Sequence, residues 1–202
     1  MNRIRQFERM IGGRWTGVVF HRNGAMKDPN QNQRPMRFCE AVRDSAMKPL
    51  TLTKECVNCA GALRSFGWDG GRDEELAENM TQTQKIGLES ANSLIEKTPR
   101  LNGDVSSISI GDLDSPDIII SYLQPETAMN FIYQWQKKYA EKIDTKLSSI
   151  MSVCGSVAAG AYVRDEIRLS FGCPESRKYG DIGRDRLVIG VPFRMAERFI
   201  KD

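Results

Sequence analysis

The chain has 202 residues, 40% hydrophobic and 27% charged, which suits a globular protein of one large domain or two small ones. A formal net charge of +3 offers no basic stripe for nucleic acid. The longest apolar runs, such as "DIIISYL", are strand-length and too short to cross a membrane.

The first residues, "MNRIRQFERMIGGRW", are charged and amphipathic without an apolar signal core. The expectation is therefore a cytoplasmic protein whose five cysteines stay reduced. Ile4, Phe7, Met10 and Ile11 recur at helical spacing, predicting a helix over residues 2–11 that "GG" ends. "WTGVVFH" predicts a strand and "RNGAMKDPNQNQRP" a polar loop. Phe38, Cys39, Val42 and Ala46 share one side of a short helix over residues 36–47. "LTLT" predicts a short strand, and residues 59–66 one or two helical turns. Two helices follow over residues 73–80 and 83–97, the second ended by Pro99. "VSSISIG" and "DIIISYL" are the strongest strand signals, joined by the turn-rich "DLDSP". Pro125, suited to a first helical turn, opens a long helix to about residue 141. "LSSIM" reads as a strand and residues 154–163 as a helix of small residues. "EIRLSFG" and "RLVIGVPF" read as strands, and residues 194–201 as a closing helix. Interspersed helices and strands predict an α/β or α+β fold in a single compact domain, residues 1–202.

A motif set occurs twice. "FCEAV" followed by "LTLTKECVNCAGALRSFGWDGGRDEEL" matches "VCGSV" followed by "IRLSFGCPESRKYGDIGRDRL". Cys39 aligns with Cys154 and Cys59 with Cys173; Arg64, Phe66 and Gly67 align with Arg177, Tyr179 and Gly180. Gly71, Arg72 and Asp73 align with Gly183, Arg184 and Asp185. The expectation is two pseudo-repeated halves, about residues 15–100 and 105–202, packed about a pseudo-two-fold axis. Four scattered thiols could then converge on one site.

"RFCEAV", a central Cys-x-Gly-Ala and a late "LSFGC-x-x-S-R" ahead of "IGVPF" together resemble the DUF169 family, uncharacterised proteins mainly of archaea and anaerobic bacteria. The resemblance spans about residues 15–193. It implies recurrent cysteines at positions like Cys39, Cys59, Cys154 and Cys173, and no known reaction. Where the family usually carries Gly two residues after its last cysteine, this chain has Glu175, and Cys56 is an addition to the pattern.

The thiols admit several readings. A [4Fe-4S] cluster takes four thiolates, and Cys56, Cys59, Cys39, Cys154 and Cys173 are the candidate ligands. Zinc is the weaker metal reading, since a second Cys-x-x-Cys knuckle is missing and His21 is the sole histidine. A metal-free redox pair would place its acidic thiol at a helix start, which designates Cys59 over Cys56. The bland alternative is that the cysteines are small buried hydrophobes.

Arg64 and Arg177 are candidate anion-binding residues, because guanidinium groups beside glycines can line a phosphate or carboxylate site. Their bland alternative is bridging to Asp73 and Asp185. No Walker or dinucleotide-binding glycine pattern is present, and Ala60 after the Cys-x-x-Cys excludes c-type haem. Three functions stay open: an iron–sulfur protein handling electrons or sulfur, an anion- or small-molecule-binding module with structural cysteines, and a thiol-dependent enzyme. A redox partner or small molecule is implied, and homo-oligomer formation is left open.

Overall fold

The computed structural model describes residues 2–22, 34–102 and 104–202. Most of the polar loop expected between the first strand and the next helix, residues 23–33, lies outside the described residues.

The chain begins α1 (Arg3–Ile11), β1 (Trp15–Arg22), α2 (Phe38–Asp44), β2 (Leu50–Leu52) and, after a 3₁₀ turn at Lys54–Cys56, α3 (Ala60–Ser65). It continues α4 (Asp73–Gln84), α5 (Leu88–Lys97), β3 (Val105–Gly111), β4 (Ile118–Leu123) and α6 (Pro125–Tyr139). A π-helical segment, Ser152–Ala159, runs into α7 (Gly160–Arg164). Then come β5 (Arg168–Ser170), α8 (Pro174–Tyr179), β6 (Leu187–Pro192) and α9 (Phe193–Lys201).

The strands form one sheet in the order β2-β3-β1-β4-β6-β5, with every pair antiparallel. This is the α+β form of the expected fold. The two strongest strand signals, β3 and β4, do not pair with each other. β1 lies between them, with Val18 opposite Ile110 on one side and Ile118 on the other.

Alternation sorts the strand side chains between two cores. Val18, Phe20, Ile108, Ile110, Ile118 and Ile120 meet α2 to α5 and the π segment. Trp15, Ile119, Leu123, Ile189 and Val191 meet α1, α6 and α9. Ile118, Ile119 and Ile120 are all fully buried, because β4 is central and covered on both faces. The three-residue strands β2 and β5 form the edges, and short edges discourage pairing between chains. On the second face, Phe7 meets Trp15 edge-on at 5.0 Å and Trp135 stacks on Phe199 at 6.1 Å.

Several local expectations are corrected. α4 runs on to Gln84, and the break falls at Lys85, whose φ is 58°, so the next helix begins at Leu88. "LSSIM" is not a strand; it turns at Met151, with φ 46°, and delivers the chain into the π segment. The small-residue helix starts at Ser152, and its first eight residues wind as a π-helix, with the Ser156 N–H donating to the Met151 carbonyl at 2.9 Å. Small side chains permit this tight contact: a Cβ on Gly155 would stand 2.5 Å from Thr98 Cγ2 and 2.9 Å from Ser65 Oγ.

The element order of β1, α2, β2, α3 and β3 corresponds to that of β4, the π segment with α7, β5, α8 and β6. The sheet order reads the same from either edge when β1, β2 and β3 are matched with β4, β5 and β6. Helices α4, α5 and α6 are insertions in this comparison.

Candidate functional site

Each cysteine's position follows from local structure. Cys39 is the second residue of α2 and packs into the first core. The end of α8 comes close beside it at Gly180, where a Cβ would stand 2.9 Å from Cys39 Cβ. Cys154 is the third residue of the π segment, buried among small side chains. Cys59 and Cys173 occupy the same structural position: each is the N-cap of a six-residue helix that follows an edge strand, α3 after β2 and α8 after β5. Cys173 closes a capping box with Ser176, whose Oγ accepts from the Cys173 N–H at 2.8 Å.

These four cysteines line one cavity of about 350 Å³ on the first helical face. Its walls come from the starts of α2, α3 and α8, the entry to the π segment, and α4 through Leu76, Asn79 and Met80. Cys56 is not among the residues that line it. The Cys56 thiol turns back on its own 3₁₀ turn, where it accepts from the Thr53 N–H at 3.0 Å and donates to the Thr53 carbonyl at 3.2 Å.

The thiols of the cavity are close enough to act on one another. Burial pushes Cys39 up to about 12, and negative charge on Cys59 or Cys173 would push it further the same way. Cys154 is raised well above the ordinary thiol range by burial, again reinforced by Cys59 and Cys173. Cys59 is also raised by burial, although the N–H groups of Gly61 and Ala62 and the Arg37 guanidinium oppose the shift. This corrects one expectation. Cys59 does sit at a helix start, yet desolvation outweighs the helix terminus, and in the metal-free protein it is not an acidified thiol.

Sequence reasoning missed three residues around the cavity. Arg37, the N-cap of α2, reaches Glu175 at the start of α8 with Nε and Nη2 at 3.0 and 2.6 Å. Its guanidinium also lies over the Tyr179 ring, 3.8 Å from the centroid. Arg37 and Glu175 both line the cavity and tie together the helices that carry Cys39 and Cys173. Tyr122, on β4, donates to the Cys39 carbonyl at 3.2 Å, and its phenol is raised well above its ordinary value by burial, with Cys39 and Cys173 adding to the shift. The departure at Glu175 was visible in the sequence; its partner was not.

Arg64 and Arg177 are not brought together. Arg64 is buried, donating to the Thr98 carbonyl at 2.5 Å and to Asp73 at 3.3 Å. Arg177 donates to the carbonyls of Gly183 at 2.7 Å and Phe171 at 2.6 Å. Neither lines the thiol cavity. Arg72 pairs with Glu75 at 3.5 Å, Asp185 accepts from Gln124 at 3.4 Å, and His21 meets Ser109 at 2.8 Å. Among the described residues, no three His, Cys, Asp or Glu side chains form a group that could hold a metal ion as they stand, and no helix is long and apolar enough to cross a membrane.

Among curated proteins, the uncharacterised protein MJ0308 of Methanocaldococcus jannaschii is 24% identical over 166 residues, 77% of this chain and 71% of its own length. No solved structure matches the chain. The model of the DUF169 family, described as uncharacterised ArCR, matches residues 16–202, which include the sheet from Thr16 onward and all four cavity cysteines. The chain therefore belongs to the DUF169 family.

Proposed function

We propose that the cavity binds an iron–sulfur cluster of the [4Fe-4S] type through Cys39, Cys59, Cys154 and Cys173, and that the protein uses it to handle electrons or sulfur. One observation carries the reading: four cysteines from four separate elements line a single cavity, and the fifth does not. Four thiols with no hard ligand among them are the donor set that soft metal centres take. The cavity of about 350 Å³ is the space such a centre would occupy. Zinc on the same four thiols is the alternative metal, and sulfide content separates the two.

A duplicated origin is part of the proposal. Cys59 follows Cys39 by 20 residues, and Cys173 follows Cys154 by 19. The matching element order and matching N-cap positions support it. The anion-binding alternative loses its residues, because Arg64 and Arg177 are spent on backbone carbonyls. The raised Cys59 thiol counts against a nucleophilic role in the metal-free protein.

The test is anaerobic reconstitution with ferrous iron and sulfide, followed by iron and acid-labile sulfide analysis. The expected result is about four of each per chain, with thiolate-to-iron absorption in the visible. Serine at Cys39, Cys59, Cys154 or Cys173 should abolish or sharply reduce uptake, and Cys56→Ser should retain it. Uptake that depends on Cys56 and ignores Cys173, or no uptake at all, would overturn the reading.

A further inference from the structure

We propose that Arg37 and Glu175 form a charge pair that sets how readily the thiol site accepts an electron, Arg37 raising and Glu175 lowering that tendency. The inference rests on the cluster reading. Both side chains line the cavity, and both grow from helix starts that also carry a cavity cysteine: Arg37 lies two residues before Cys39, and Glu175 two residues after Cys173. Their contact is direct, with two guanidinium nitrogens on one carboxylate oxygen at 3.0 and 2.6 Å. The Arg37 side chain is 20% exposed and Glu175 47% exposed, so the cation is the more enclosed member. The Tyr179 ring packs against the guanidinium and holds it beside the cavity. Among the described residues lining the cavity, Arg37 is the one cation and Glu175 the one carboxylate.

The physical argument is Coulombic. A cluster held by four thiolates is anionic. One-electron reduction by an external donor, a low-potential redox protein or dithionite in the assay, oxidises that donor and adds a further negative charge to the cluster. A fixed cation in a partly enclosed site favours the reduced state, and a fixed anion disfavours it. Arg37 and Glu175 partly cancel, so removing either unmasks the other. A purely structural clamp makes a different prediction: breaking it from either side would have the same effect.

The experiment is a dithionite redox titration of reconstituted wild type, Arg37→Gln, Glu175→Gln and Arg37→Lys, followed by the visible absorption. Arg3→Gln, on the opposite face of the sheet, controls for net charge. Arg37→Gln should lower the equilibrium constant for reduction by about tenfold, a shift of about 59 mV for one electron. Glu175→Gln should raise it severalfold, Arg37→Lys should lie near wild type, and Arg3→Gln should not shift it. Iron and sulfide content is measured on each sample. Wild type that takes up neither overturns the cluster reading and this inference with it. Loaded proteins whose constants move in the same direction for Arg37→Gln and Glu175→Gln, or do not move, overturn this inference alone. If Arg37→Gln fails to fold, the upward shift in Glu175→Gln still decides it.

Discussion

Alkaline pH should destabilise the metal-free protein through its buried thiols. Cys39 is 7% exposed, and burial pushes it from an ordinary value of 9.0 up to about 12. In the unfolded chain the same thiol ionises near its ordinary value. Below that point both states keep the proton and stability is unaffected. Above it the unfolded state releases a proton that the folded state retains, so stability falls with pH until the folded value is reached. Between about pH 9 and 10 the loss from one such thiol is about 1 kcal/mol. Cys154 is shifted in the same direction by burial, so its loss adds to that of Cys39. Against a typical folding stability of about 5–15 kcal/mol the loss from Cys39 alone is measurable. Urea denaturation of the reduced, metal-free protein at about pH 8 and 10 measures it, beside a Cys39→Ala/Cys154→Ala double variant. The double variant should lose less over the interval, by at least the roughly 1 kcal/mol due to Cys39, whatever its absolute stability. Equal losses in both proteins would refute the reasoning. Metal loading should reverse the trend, because binding takes these protons off the thiols and is therefore favoured as pH rises.

Two structural substitutions test how the thiols are held. Gly155→Ala places a Cβ 2.5 Å from Thr98 Cγ2 and should cost about 1–3 kcal/mol in denaturant, with weakened iron uptake because Cys154 is the preceding residue; unchanged stability would mean that the contact relaxes freely. Arg64→Met removes the donor to the Thr98 and Pro99 carbonyls and should cost about 1–3 kcal/mol while leaving cluster stoichiometry intact under native conditions. Loss of an anion-binding signal without loss of stability would return Arg64 to a ligand role.

Periodicity made most of the fold legible. Ile4, Phe7 and Ile11 do form the buried stripe of α1, and the unbroken "DIII" marks the strand covered on both faces. What it could not supply was pairing. β3 and β4 are neighbours in sequence, and only the long-range insertion of β1 keeps them apart in the sheet. The π segment was illegible for a different reason: helical spacing looks alike for π and α over eight residues, and the neighbours it packs against, Thr98, Ser65 and Arg168, are distant in sequence. "LSSIM" had strand-like composition, yet Ser170 on β5 takes its Ser148 carbonyl through a side-chain hydroxyl and no ladder forms there.

The matched motifs single out the four cysteines that line the cavity, whereas Cys-x-x-Cys spacing points elsewhere. A motif search would choose Cys56 and Cys59, which have the two intervening residues of a metal knuckle. In the fold they belong to different devices. Cys56 ends a 3₁₀ turn, and its thiol is occupied by the Thr53 backbone. Cys59 opens a helix, and its thiol looks into the cavity. Between them Val57 is extended and its neighbour Asn58 donates to Met36, which sets the chain direction before α3 begins. A closing turn followed by an extended pair and a helix start sends the two side chains different ways, so the spacing cannot by itself make them joint ligands. Position relative to an edge strand carries the information instead. After β2 and after β5 the chain leaves the sheet toward the same helical face and starts a short helix on a cysteine. The two starts come from opposite edges of a sheet whose order mirrors about β1 and β4, yet they line one cavity, together with Cys39 and Cys154 from α2 and the π segment, the helices that precede those same edges.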